Sequence, residues 1–82
     1  MKDKLNLRIS QVAANIRKIR EHRNYTQEYL AAKLRISQNA YSKIELGYTK
    51  ITVERLFQIA EILESDPVYI ITNDETQILR AV

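Results

Sequence analysis

Two helix-capping residues set close together, Thr26 and Ser37, narrow most what this chain can fold into. Each can accept a hydrogen bond from an orphaned backbone N–H in the first turn of the helix that follows it. Glu28 lies in the first turn after Thr26, where a carboxylate suits the positive end of a helix. Leu30, Ala31 and Leu34 fall at i, i+1 and i+4 and make one inward stripe. Ser37 comes only three residues after Leu34, so a second helix, from about Gln38 to Leu46, starts almost at once. The stretch therefore reads as two short helices joined by a tight turn. Tyr41 and Ile44, with Ala40 beside them, face inward on the second helix. Its other face is Gln38, Asn39, Ser42 and Lys43.

That outer face carries amides, a hydroxyl and one ammonium, where a plain surface helix usually carries Glu and Lys pairs. Such groups match base edges in the DNA major groove: Gln and Asn suit adenine, and Lys suits guanine. A groove of that width admits one helix, which reads bases with its N-terminal turns, where Gln38 and Asn39 sit. Ala31 is small enough to let the second helix cross close over the first.

With these residues in view, the stretch resembles the helix-turn-helix of the lambda-repressor-like family (Cro, phage repressors and many small bacterial regulators). The matching pieces are TQEYLA, the turn, and SQNAYSKIELG with Gly47 closing the second helix. The resemblance runs on through KITVERLFQIAEIL and covers roughly residues 9 to 71. Arg35 departs from it, because the family often has Gly at this turn position. Arg can take the left-handed conformation there at a cost on the order of 1 kcal/mol.

Composition bounds the alternatives. Eighty-two residues suffice for one small domain. One Gly and one Pro disfavour an all-β fold with many turns, and zero Cys removes disulfides, zinc fingers and thiol catalysis. The single histidine, His22, reads as a solvated helix-end residue, so no metal site and no cofactor are expected. MKDKLNLRIS has no continuous apolar run, and no segment approaches a membrane span, so a cytoplasmic protein is expected. Charge is divided along the chain. Residues 1–50 hold 11 Lys/Arg against 4 Asp/Glu, and residues 51–82 hold 2 against 6. A basic half containing the reading helix and an acidic half turned away fit a DNA-facing surface.

The expected fold is all-α, with five helices as the resemblance implies. Residues 1–8 read as a flexible lead-in, 9–72 as the domain and 73–82 as a tail of open conformation. Helix 1, from about Ile9 to Arg23, buries Ile9, Val12, Ala13, Ile16 and Ile19. Asn24 is a plausible C-terminal cap. Helix 4 follows the cap Thr52, with Leu56, Ile59, Ala60 and Leu63 as its stripe and Phe57 and Ile62 broadening it. Ser65-Asp66-Pro67 starts a short helix 5, to about Ile71.

The resemblance also implies roles. Arg20, near the apolar face of helix 1, would form a salt bridge with Glu45 and fix helix 1 to the reading helix. Gln27 would bond a phosphate and brace that helix. Tyr48 and Lys50, in the loop after Gly47, would touch the DNA backbone; apart from the resemblance, Arg17 and Lys18, basic and outside the apolar stripe of helix 1, are further candidate phosphate contacts. The run Val68, Tyr69, Ile70 and Ile71, with Ile78 and Leu79 of the tail, is too apolar for one small helix to hide, and exposed surface of that kind marks interfaces. The family commonly dimerises there.

The function these features point to is a sequence-specific transcriptional regulator, a repressor, binding double-stranded DNA as a homodimer. A second reading is a protein-interaction module, an antitoxin or adaptor, whose C-terminal apolar surface binds a partner protein. A restriction-modification controller is a subtype of the first. An enzyme is not expected, since no constellation of acids, nucleophile or Gly-rich phosphate loop is present.

Overall fold

A computed structural model describes residues 2–72; the expectations for residues 73–82, Ile78 and Leu79 included, lie outside the described residues. The described residues form five α-helices: α1 (Lys2–His22), α2 (Gln27–Leu34), α3 (Gln38–Glu45), α4 (Val53–Leu63) and α5 (Pro67–Thr72). The all-α fold is as expected.

Three of the starts follow from side-chain caps. The hydroxyls of Thr26, Ser37 and Thr52 each accept the N–H three residues on, from Tyr29, Ala40 and Arg55, at 3.0 Å. At α5, Asp66 Oδ1 accepts from Val68 N at 2.9 Å, with Pro67 at the first helical position, where its missing N–H costs nothing. The ends share one device. After α1, α2, α3 and α4, the residues Asn24, Arg35, Gly47 and Glu64 take positive φ of 60, 59, 78 and 55°. The next N–H then reaches back to close each helix: Tyr25 to Arg20 O, Ile36 to Ala31 O, Tyr48 to Lys43 O and Ser65 to Ala60 O. Two backward bonds at each end satisfy carbonyls that the helix leaves open. Arg35 thus sits in the left-handed conformation that its place in the tight turn demands.

Ile16 and Ile19 of α1, Leu30 of α2, Tyr41 of α3, Ile59 and Leu63 of α4 and Ile70 of α5 are fully buried and meet in one core. Asn15 is buried with them. Its Nδ2 donates to the carbonyl of Ile70 at 2.7 Å, and its Oδ1 accepts from Gln11 Nε2 at 2.9 Å. A carbonyl in the last turn of α5, which the helix itself cannot satisfy, is thereby tied to α1.

The structure corrects four expectations. α1 begins at Lys2 rather than near Ile9, because no Gly or Pro interrupts the stretch and Asp3 suits its positive end. Its first turns lie beyond the core, so Leu5, Leu7 and Ile9 are exposed. Phe57, expected to broaden the core stripe of α4, is 55% exposed. Ile70, expected in an interface, is instead the residue by which α5 enters the core, and Tyr69 is half-buried against it. Only Val68 and Ile71 of that run are left exposed.

Removing the Cβ strain at the left-handed ends tests this account of the turns. Glu64→Gly and Arg35→Gly should each raise stability in urea by about 0.5–1 kcal/mol, the left-handed penalty less the extra chain entropy of Gly. No gain at either site would contradict it.

Candidate nucleic-acid interface

α3 is eight residues long, and its two faces have opposite characters. Tyr41, Ile44 and Glu45 are buried, whereas Gln38, Asn39 and Lys43 are exposed and Ser42 is half-buried. The buried carboxylate is the anchor. Arg20 Nε donates to Glu45 Oε2 at 2.7 Å and Arg20 Nη2 to Oε1 at 3.2 Å, so the expected pair forms as a two-pronged fork. Arg20 Nη1 also donates to the carbonyl of Tyr25 at 2.7 Å, and Gln27 Nε2 donates to Glu45 Oε1 at 3.1 Å. One carboxylate therefore gathers α1, the start of α2 and α3. Its side chain is 2% exposed and that of Arg20 12%, a depth at which an unpaired charge would be costly. The Glu45 carboxylate accordingly raises the ionisation of Arg20 further above its ordinary range.

Tyr41 lies beside this pair. Its hydroxyl is buried close to the Glu45 carboxylate and to Arg20, yet makes no hydrogen bond of good geometry among the described residues. Burial first, and the Glu45 carboxylate second, push its ionisation far above the usual phenol range.

On the outward side, an open groove runs between α3 and the start of α4. Asn39 and Lys43 line it from α3, Lys50 from the loop, and Arg55 from the first turn of α4, with the Thr49 and Thr52 side chains between them. No carboxylate lines the groove, so three cations from three elements converge without a counter-charge. Arg55 was missed by the sequence reading. The signal was available: a cation three residues after a cap sits at the positive end of its helix, the unfavourable place for it.

The other expected backbone-contacting residues are more scattered. Tyr48 is 78% exposed at the loop. Gln27 is half-buried and braces Glu45 with one amide hydrogen, leaving its second for another acceptor. Arg17 and Lys18 share Glu21 on the surface of α1, each at 3.9 Å, and do not line the groove.

A family model described as helix-turn-helix matches residues 16–70, the span from the core of α1 to the core residue of α5. The chain belongs to the lambda-repressor-like helix-turn-helix family. No curated protein and no solved structure matches it. As a member of that family it is a DNA-binding regulator. α2 and α3 are its helix-turn-helix, and Arg35-Ile36-Ser37 is the turn between them. Among the described residues, no helix is long and apolar enough to cross a membrane.

The orphan hydroxyl gives a test of the helix-turn-helix core. Tyr41→Phe should raise stability by about 1 kcal/mol, since it removes a buried group without a partner. The raised ionisation means that the unfolded chain loses this proton more easily than the fold. Stability from this group is therefore complete below pH ~10 and falls as pH rises beyond it. Tyr41→Phe should lose less stability in that alkaline range, and leave the native absorbance titration unchanged. A destabilised variant would show that the hydroxyl has a partner.

Proposed function

We propose that the chain is a sequence-specific repressor that reads a palindromic operator as a homodimer, with α3 in the major groove. The observation that carries this reading is the two-faced α3, fixed from behind at Glu45 and open in front at Gln38, Asn39 and Lys43. Gln38 and Asn39 pair with adenine edges, Lys43 with guanine, and Ser42 with either. Lys50, Tyr48 and the free amide hydrogen of Gln27 hold phosphates and set the register, and Arg55 joins them across the groove. Arg17 and Lys18 exchange their weak surface pairing with Glu21 for phosphate.

The pairing face is the mainly apolar edge where Ile9, Val12, Ile51, Leu56 and Ile71, together with Lys50, line a shallow depression, with Val68 exposed on the same short helix as Ile71. Two copies related by a two-fold axis would place their α3 helices about one DNA turn apart, ~34 Å. The same edge also supports the second reading, an antitoxin or adaptor whose exposed Val68 and Ile71 meet a partner protein.

Selection from a random duplex pool distinguishes the two. The parent should enrich a palindrome. Lys43→Ala should bind the enriched site about 1–3 kcal/mol more weakly and relax one base position in each half-site. No enrichment, or a mutant that loses affinity uniformly over all sequences, would contradict the assignment of Lys43 and move the weight to the partner-binding reading.

A further inference from the structure

A second open cleft lies between α2 and α4, and it shares no residue with the α3 groove or with the depression at α5. Its α2 wall ends in Lys33 and Arg35, and its α4 wall ends in Glu61 and Glu64. None of these four side chains has an ion-pair partner among the described residues. The floor near α2 is aromatic. The Tyr25 and Tyr29 rings lie 4.7 Å apart at 38°, and the Lys33 ammonium sits 5.6 Å from the Tyr29 ring centre. Tyr29 is 39% exposed, and Ala32, exposed on α2 outside the cleft lining, adds almost no bulk to the helix surface.

We propose that this cleft is a self-association surface whose occupant is α2 of a second copy of the chain. The argument rests on charge and shape together. α2 is a ridge of eight residues beside a cleft, and a two-fold axis lets each ridge enter the other's cleft. In that arrangement the Lys33 and Arg35 end of each α2 meets the Glu61 and Glu64 wall of the other copy. Antiparallel pairing of the two α2 helices also sets Glu28, at the start of one, against the basic end of the other. The surface is thus complementary to itself under a two-fold, as an interface between identical copies must be. Ala32 permits close approach, and the Tyr25–Tyr29 pair supplies the rigid aromatic anchor that such contacts favour. Because the cleft shares no residue with the α3 groove or the α5 edge, the contact is compatible with copies that are on DNA and does not require DNA to form. It is independent of which face forms the operator-bound pair.

Charge-swapped variants of the full chain test the proposal by sedimentation equilibrium without DNA, at about 50 mM salt, where surface charges act over more than 10 Å. Lys33→Glu and Glu61→Lys should each weaken this association about tenfold, because every swap replaces two attractive contacts by two repulsive ones. An equimolar mixture of the two variants should recover the parent's association, since each altered charge then meets its opposite. Recovery also shows that both variants are folded. Each variant alone should still protect a full palindromic operator, so a failure of operator reading is seen separately. The proposal is overturned if the parent forms no assembly beyond the operator-type pair, if the single swaps associate like the parent, or if the mixture stays as weak as the single variants.

Discussion

The rest of the structure depends on the buried carboxylate of Glu45. It lies at the C-terminal end of α3 and accepts from Arg20 of α1 and Gln27 of α2, while Arg20 also holds the carbonyl of Tyr25 in the intervening loop. A helix of eight residues has little stability of its own, so its orientation must come from tertiary contacts. Apolar packing through Tyr41 and Ile44 supplies burial without much direction. The forked arginine–carboxylate pair supplies direction, because its two parallel bonds are satisfied in one geometry only. The result separates the labour of α3: its back fixes the helix, and its front is free to carry polar groups that the fold does not use.

This separation explains why so much was legible in the sequence. The caps Thr26, Ser37 and Thr52 announce helix starts because their bonds are local, three residues long and independent of the rest of the fold. The apolar stripes of α2, α3 and α4 and most of that of α1 are periodic, and periodic burial is what packing against a core requires. Arg20 and Glu45, by contrast, are 25 residues apart in sequence, and only the family resemblance joined them before the structure did.

What escaped the sequence reading escaped for physical reasons. An apolar stripe marks only the part of a helix that meets a core, so it points to a start near Ile9; the turns before it obey local propensity alone. Four apolar residues in a row do not say which one points inward, and for Ile70 that choice is made by the docking of α5 on α1. Asn15 gave a faint signal, a polar residue in an apolar stripe, but its partner is a backbone carbonyl 55 residues away. Arg55 was visible as a cation at the wrong end of a helix, and only the groove shows the company it keeps with Lys43 and Lys50.

The central claim, that the Glu45 fork rather than apolar packing alone orients α3, is tested most directly by a double-mutant cycle in urea on Arg20→Ala, Glu45→Ala and the pair together. A pair at this depth should show a coupling energy of about 2–3 kcal/mol, with the double variant much less damaged than the sum of the two single ones. A coupling below about 0.5 kcal/mol, the size typical of exposed pairs, would contradict it and leave α3 held by packing alone.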